Sequence, residues 1–209
     1  MPLLLHKTVL EKGELAIWKI TETPEALLEI LKKQGIYADI PFFRNTDRLA
    51  EWLTARVLMA TMGIKQKIVY SDAGKPSLEG EGTHISISHS KDHVAVIAHP
   101  EFATGIDIET TGDRIHRVSG KFVNDAERSW ISTDHEMEQL YIIWGAKECA
   151  FKIFGLGEID FRDNLEVEQF EFKVQGTTRV IFKKGENHCI YQVFFQYLDQ
   201  TMITYAFAT

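Results

Sequence analysis

The chain lacks the features of several specialised protein classes. It has only two cysteines, Cys149 and Cys189, in 209 residues, too few for the disulfide framework of a small secreted protein. No apolar run approaches the roughly 20 residues of a membrane-spanning helix. The short apolar stretch near the start has neither the basic beginning nor the long apolar core of a signal peptide. We therefore expect two reduced thiols and a cytoplasmic protein.

An excess of positive charge is also missing. Lysine and arginine number 23 against 30 acidic residues, which gives a formal net charge of −7. Nucleic-acid-binding proteins carry broad basic surfaces, so we expect neither a nucleic acid nor a membrane as the partner. A phosphorylated ligand would have to be held by a local group of basic side chains. The apolar fraction, 44%, is that of an ordinary globular protein with a packed core.

No segment rich in proline or serine separates one part of the chain from another. Periodicity predicts an α+β protein of two loosely similar halves, residues 1–104 and 105–209, the second carrying the acidic motif described next. The predicted helices are 24–33, 46–62 and 136–154. The predicted strands are 3–10, 14–20, 67–70, 84–88, 93–98, 106–109, 165–174, 178–182, 189–197 and 202–208. Asn124 and Glu127 form a predicted capping box at the start of another helical turn.

Residues 105–109 place two carboxylates on one predicted strand. Side chains alternate along a strand, so Asp107 and Glu109 share one face while Ile106 and Ile108 face the core. Adjacent carboxylates repel each other unless a cation lies between them, and Mg²⁺ prefers oxygen ligands. An edge strand with a solvated acidic face explains this segment as well as a metal site does.

Residues 144–152 place a third carboxylate on a predicted helix. Trp144, Glu148, Phe151 and Lys152 fall on one broad face, with Lys147 at its border. An ordinary surface ion pair between Glu148 and Lys152 is one interpretation. The aromatic neighbours favour partial burial instead, which would give these charges unusual electrostatics and a functional use.

Two further segments are weaker when taken alone. Residues 85–90 alternate so that the isoleucines face inward and the serines face away, and the run ends near His89. Residues 74–76, Gly-Lys-Pro, hold Lys75 on a stiff turn. A structural histidine and a solvated lysine are the ordinary interpretations. No Gly-x-Ser-x-Gly turn accompanies them, so a serine hydrolase is not indicated.

Taken in order, these four segments resemble the 4′-phosphopantetheinyl transferase superfamily. The resemblance covers residues 74–152 and is closest to the long, single-chain type that activates peptide and polyketide synthetases. It implies a monomer of two α+β halves related by a pseudo-twofold axis. It also implies that coenzyme A donates its phosphopantetheine arm to a serine of an acyl or peptidyl carrier protein, releasing adenosine 3′,5′-bisphosphate.

The resemblance further implies roles at the reacting end of coenzyme A. Asp107, Glu109 and Glu148 would hold Mg²⁺, with Mn²⁺ as an alternative. Glu148 would take the serine proton, and whether it acts as ligand, base or both stays open. Lys147 and Lys152 would neutralise charge that builds on the pyrophosphate leaving group.

At the nucleotide end, the resemblance implies that Lys75, Ser88 and His89 hold coenzyme A, with His89 near the 3′-phosphate. An arginine of the second predicted helix would assist there. Arg48 and Arg56 both qualify, and the sequence does not choose between them.

Two other functions compete with the transferase. One is a catalytically silent homologue that only binds coenzyme A or a carrier protein, and the retained acids and lysines argue against it. The other is an unrelated Mg²⁺-dependent phosphohydrolase, which would need neither the Gly-Lys-Pro turn nor the segment around His89. The sequence identifies neither the carrier protein nor its pathway.

Overall fold

The chain folds as an α+β protein of two compact units. The structure, a computed structural model, describes residues 2–36, 40–80, 82–155 and 158–208. The units are Met1–Pro100 and Glu101–Thr209. The predicted α+β class is confirmed, whereas the predicted similarity of two halves about a pseudo-twofold axis stays a prediction.

The first unit contains two helices and two antiparallel sheets. Its larger sheet has the strand order β1-β2-β6-β5, and β3 and β4 form a separate hairpin. The elements are β1 Leu3–Val9, β2 Gly13–Lys19, α1 Pro24–Lys33, α2 Thr46–Thr61, β3 Ile68–Tyr70, β4 Pro76–Leu78, β5 His84–Ser90 and β6 His93–His99.

Side-chain caps define where the two helices of this unit begin. The Thr23 hydroxyl accepts a hydrogen bond from the Ala26 amide at the start of α1, and Pro24 follows the cap. Asn45 accepts from the Asp47 amide at the start of α2. Both helices bury an apolar stripe in one core with β2, β5 and β6, and α2 packs against β6 and β2.

The second unit is one five-stranded antiparallel sheet with a long helix against it. The strand order is β7-β11-β10-β9-β8. The elements are β7 Thr104–Thr110, α3 Arg114–Val118, α4 Asp125–Arg128, α5 Glu136–Phe154, β8 Leu165–Val167, β9 Gln175–Lys184, β10 Asn187–Leu198 and β11 Thr201–Phe207. The predicted helix 136–154 is confirmed at both ends, and Gly155 closes it in the left-handed region at φ 70°.

The predicted strand 165–174 is wrong beyond Val167. Pairing of β8 with β9 stops at the Val167 and Val180 pair. The apolar alternation that continues past this point comes from Phe170 and Phe172, whose rings pack onto the core instead of extending the strand. The ring of Phe170, for example, lies 5.4 Å from the ring of Phe195.

Two glycines let α5 lie unusually close to the sheet. A Cβ atom at Gly105 would stand 2.4 Å from the Cys149 carbonyl oxygen, and one at Gly145 would stand 2.5 Å from the Thr204 hydroxyl. No side chain fits in either space without moving the backbone or its neighbour. This close approach brings the charged side chains of α5 within reach of β7.

Both thiols are free, with Cys149 buried and Cys189 partly buried. None of the helices in the described ranges combines the length and apolar character that crossing a membrane requires.

Candidate active site

Strand β7 presents its acids toward helix α5. It is an edge strand of the five-stranded sheet, yet Asp107 is only 6% exposed. Ile106 and Ile108 are buried on the opposite face, as strand alternation requires. Asp107 is therefore not part of a solvated acidic edge, which was one of the two interpretations that the sequence allowed. Glu109, two residues farther along the same face, is partly exposed.

Lys152 joins helix α5 to this strand. Its Nζ donates to Asp107 Oδ1 at 2.9 Å and to the Ile106 carbonyl at 2.7 Å. Burial by itself would lower the pKa of Lys152, but the charge and hydrogen bond of Asp107, together with the neighbouring Cys149 and Glu148, outweigh burial and raise that pKa. Lys152 is therefore a firmly charged group beside the acids of β7.

Glu148 lies in the same electrostatic environment. Burial, together with the charge of Asp107, raises its pKa to about 7 against the opposing charge of Lys152, and Glu109 adds to the increase. A carboxyl group with such a pKa exists in both protonation states near neutral pH. The three predicted acids thus act on one another electrostatically, in keeping with their shared side of the sheet.

A closed metal centre is not formed by these acids. Across the residues that the structure describes, no three His, Cys, Asp or Glu side chains are arranged to hold a metal ion. The donor chemistry nevertheless fits a hard cation, because the oxygens are carboxylates and their mutual repulsion contributes to the raised pKa of Glu148. A bound cation would relieve that repulsion.

Lys147 requires a correction. The resemblance implied that it neutralises pyrophosphate, but its side chain is completely buried. Its Nζ donates to the Phe122 carbonyl at 2.6 Å, to the Glu127 carboxylate at 2.8 Å and to the Phe161 carbonyl at 2.9 Å. These bonds use all three ammonium hydrogens. Lys147 therefore serves the interior of the second unit and is not available to a phosphate ligand.

Glu127 is the important residue that sequence reasoning missed. The predicted capping box with Asn124 is confirmed, and it accounted for Glu127 as a local helix-capping group. The carboxylate is in fact fully buried and also accepts a hydrogen bond from the Val167 amide at 2.8 Å. A pairing with Lys147, 20 residues away, leaves no periodic signal in the sequence. Burial lowers the pKa of Lys147, and the charge of Glu127 offsets part of that effect.

A second charged group lies in the first unit and includes two predicted residues. Arg48 Nη1 is 2.9 Å from His89 Nε2 and donates to Glu51 Oε2 at 2.8 Å. Arg48 Nη1 also lies 3.4 Å from His89 Nδ1, so the guanidinium is in direct contact with the imidazole ring. Of the two candidate arginines, Arg48 is therefore the one that lies beside His89. The Glu51 partner, three residues along the same helix, could have been inferred from helical spacing.

The Gly-Lys-Pro segment lies next to this group. Gly74 and Pro76 line a cavity of about 350 Å³ together with Arg48 and His89. The turn is closed by hydrogen bonds between Ser71 and residues 74–75, and Gly74 occupies the left-handed region at φ 78°. Lys75 is exposed between the two lining residues.

Two predicted residues are not part of this cavity. Ser88 neighbours His89 on β5, so its side chain leaves the strand on the opposite face, where it is buried. Arg56 stacks on the Trp52 ring at 3.2 Å and donates to the Trp52 carbonyl. It lines a neighbouring cavity of about 520 Å³, which shares Trp52 and Tyr70 with the first. The first unit therefore brings together Arg48, His89 and the Gly-Lys-Pro turn, and not Ser88 or Arg56.

The second unit has a cavity of its own beside the acidic strand. Its volume is about 330 Å³. Charged and aromatic side chains share its wall: Glu109, Arg114, Lys121, Phe122, Tyr141 and Trp144.

Comparison with known proteins matches the second unit to a family. Residues 103–206 match the family model described as the 4′-phosphopantetheinyl transferase superfamily. The 4′-phosphopantetheinyl transferase AcpT of Escherichia coli K12 is 29% identical over 112 residues, and AcpT of Salmonella typhimurium is equally similar. The match covers 50% of this chain and 57% of the E. coli protein, so the chain spans little more than half the length of these curated relatives.

Proposed function

We propose that the protein is a member of the 4′-phosphopantetheinyl transferase superfamily, whose family model residues 103–206 match, and that it transfers 4′-phosphopantetheine from coenzyme A to a serine hydroxyl of an acyl or peptidyl carrier protein. The released product is adenosine 3′,5′-bisphosphate. One observation carries the proposal: inside the matched segment, the buried Asp107 and the partly buried Glu148 and Lys152 form an electrostatically interacting group at the contact of β7 and α5.

Asp107, Glu109 and Glu148 are the residues that would hold Mg²⁺ or Mn²⁺ in this proposal. A divalent ion would supply charge stabilisation for the pyrophosphate leaving group. The support is the carboxylate donor set and the repulsion that raises the pKa of Glu148. Magnesium dependence is thus part of the proposal and can be tested by chelation.

Glu148 takes the proton of the attacking serine in this scheme. A general base works best when its pKa lies near the working pH, and burial with neighbouring acids brings the pKa of Glu148 to about 7. Lys152 stays charged beside it and faces the developing negative charge of the leaving group. Displacement at phosphorus needs positioning and charge stabilisation more than covalent catalysis, and no nucleophilic side chain is required.

The nucleotide end of coenzyme A is assigned to the first unit. His89 and Arg48 are the groups for the 3′-phosphate, because they adjoin each other on one cavity wall. In this proposal Lys75, which is exposed on the neighbouring turn, would bind phosphate. Ser88 and Arg56 remain weaker assignments, since their side chains lie away from this cavity.

The finer description of the enzyme is also proposed here. We assign it to the long, single-chain type and to holo-[acyl-carrier-protein] synthase activity, acting as a cytoplasmic monomer. The division of roles between residues 1–104 and 105–209 follows the same assignment. Support comes from the two α+β units within one chain.

A carrier assay tests the function. The protein is incubated with coenzyme A, Mg²⁺ and each of several apo carrier proteins, and the carriers are weighed by mass spectrometry. A gain of one phosphopantetheine on a carrier serine supports the transferase, provided that chelation with EDTA abolishes it. No gain on any carrier, with coenzyme A still bound, would favour a silent binding homologue. Phosphate release without a carrier would favour a hydrolase.

A further inference from the structure

The buried Lys147–Glu127 pair has no part in the reaction proposed above, although it is the most completely buried ion pair in the parts of the chain that the structure describes. Both side chains are 0% exposed. Burying two charges is costly, and well-packed apolar residues of similar volume often serve folding as well or better. A contribution to stability is therefore a poor explanation for this pair. The hydrogen bonds that the pair makes indicate a different role for it.

Each partner ties down a different stretch of main chain. The Glu127 carboxylate accepts from the Asn124 amide at 2.9 Å and from the Val167 amide at 2.8 Å. The Lys147 ammonium donates to the carbonyls of Phe122 and Phe161. The pair thus connects the segment before α4, the segment before β8 and helix α5 at one point. An apolar substitute would leave these buried carbonyls without a donor.

The two carbonyls belong to the residues whose rings flank Trp144. The Phe122 ring meets the Trp144 ring edge-on with centroids 5.1 Å apart, and the Phe161 ring lies 5.5 Å away. Phe122 and Trp144 in turn form part of the wall of the 330 Å³ cavity that Glu109 also lines. The ammonium of Lys147 therefore bonds the main chain of both residues whose rings flank Trp144.

We propose that Lys147 and Glu127 are positioning residues, which hold the Phe122–Trp144 wall of this cavity so that the group being transferred is aligned beside Glu109. They contact neither coenzyme A nor the carrier protein. The inference rests on the proposed transferase function, and it assigns Lys147 to the rate of transfer instead of to phosphate binding.

Three variants separate these roles: Glu127→Gln, Lys147→Met and the double variant. If the pair positions the wall, Glu127→Gln and the double variant should both lower kcat by about tenfold to a hundredfold, because a misplacement near 1 Å has that effect. Binding of adenosine 3′,5′-bisphosphate, measured by calorimetry, should be unchanged. Lys147→Met leaves a buried carboxylate unpaired and is expected to be the least stable of the three variants, whereas the double variant removes both charges.

A matched control acts on the same segment from the surface. Arg162 donates to Asp125 at 2.7 Å and approaches the Gly120 carbonyl, but its side chain is well exposed. Arg162→Met should leave kcat and bisphosphate binding as in the wild type. Loss of kcat in this control as large as in Glu127→Gln would show a general sensitivity of the segment and contradict the inference.

A spectroscopic measurement reports on the wall directly. In protein labelled with 5-fluorotryptophan, the ¹⁹F resonance of Trp144 is assigned with Trp144→Phe. That resonance should shift in Glu127→Gln and in the double variant, and stay in place in Arg162→Met.

Wild-type kcat with an unshifted resonance in Glu127→Gln overturns the inference. A second outcome also overturns the inference: the double variant binds the bisphosphate more weakly, whereas Glu127→Gln binds it normally. Lys147 would then contact phosphate. If the wild type transfers nothing, the proposed function fails, and the resonance still decides whether the pair positions the wall.

Discussion

The charged groups of the two units differ in how far they are removed from water. In the first unit, the side chains of Arg48 and His89 are 57% and 44% exposed and meet at the rim of a cavity. In the second, Asp107 and Lys152 are mostly buried, and Lys147 is completely so. Exposed charges recognise a ligand at little cost to folding, whereas buried charges are coupled to the fold and to one another. The same kind of substitution should therefore have different consequences in the two units.

The largest effect is expected on stability, from removing one partner of the buried pair. Lys147→Met should lower the free energy of unfolding by about 3–5 kcal/mol, because Glu127 is left buried and uncompensated. Arg48→Met, which breaks the pair between the exposed Arg48 and the partly buried Glu51, should cost about 1 kcal/mol. Urea denaturation followed by circular dichroism measures both. If the two variants lost equal free energy of unfolding, the two units would not differ in the cost of removing a charged partner.

The next effect concerns catalysis in the second unit. Glu148→Gln should reduce kcat by about a thousandfold, because the amide can no longer accept the serine proton. Coenzyme A binding, measured by calorimetry, should survive. Glu136→Gln, an exposed acid at the start of the same helix, serves as the control and should transfer normally. Retained activity in Glu148→Gln would exclude Glu148 as the base.

The buried acid should also make stability depend on pH. The pKa of Glu148 rises from 4.5 to about 7 on folding, so the folded state holds the proton more tightly than the unfolded state. Its contribution is present in full below about pH 4.5 and is lost as the pH rises toward 7 and above, by at most on the order of 3 kcal/mol.

The measurement compares urea denaturation of the wild type with that of Glu148→Gln from pH 5 to pH 8 in the presence of EDTA. The wild type should lose stability relative to the variant as the pH rises. Added Mg²⁺ should reduce the difference if the acids hold a cation. A constant difference across this range would show that Glu148 has an ordinary pKa.

The smallest effect belongs to the exposed group of the first unit. His89→Ala should weaken coenzyme A binding by about tenfold, the equivalent of one charge-assisted hydrogen bond. Binding of 3′-dephospho-coenzyme A should change less, because the phosphate that His89 faces is missing. His84→Ala, on the same strand, controls for a general effect of losing a histidine. Equal losses with both ligands would contradict a 3′-phosphate contact.

Most of the fold could be predicted from the sequence, because the signals are local. The helix 136–154 has clear ends, and the caps at Thr23, Asn45 and Asn124 are fixed by their own side chains. Strand 165–174 was wrong since alternating phenylalanines serve core packing as readily as strand pairing. The end of strand pairing after Val167 is not visible in the residue types, because the apolar alternation continues.

The candidate site was only partly predictable. Asp107, Glu109 and Glu148 were grouped by alternation and by the resemblance, and their electrostatic coupling agrees with that grouping. Lys147 and Lys152 are the same residue type on the same helix, so residue type alone does not show which of them is buried in the core. Five positions on a helix correspond to a rotation of about 140°, which turns one lysine toward β7 and the other into the core.

The sequence by itself therefore determined the elements and the residue types of the site, because periodicity and capping act over a few residues. Only the tertiary structure decided which charges are buried. Gly105 and Gly145 allow helix α5 to pack closely against the sheet, and this close packing brings Lys152 into contact with Asp107. The tertiary structure also brings Arg48, and not Arg56, beside His89, and it pairs Lys147 with Glu127. Both contacts join residues that are far apart in the chain. Burial, and with it the strength of every charge interaction, depends on the packing of the whole unit.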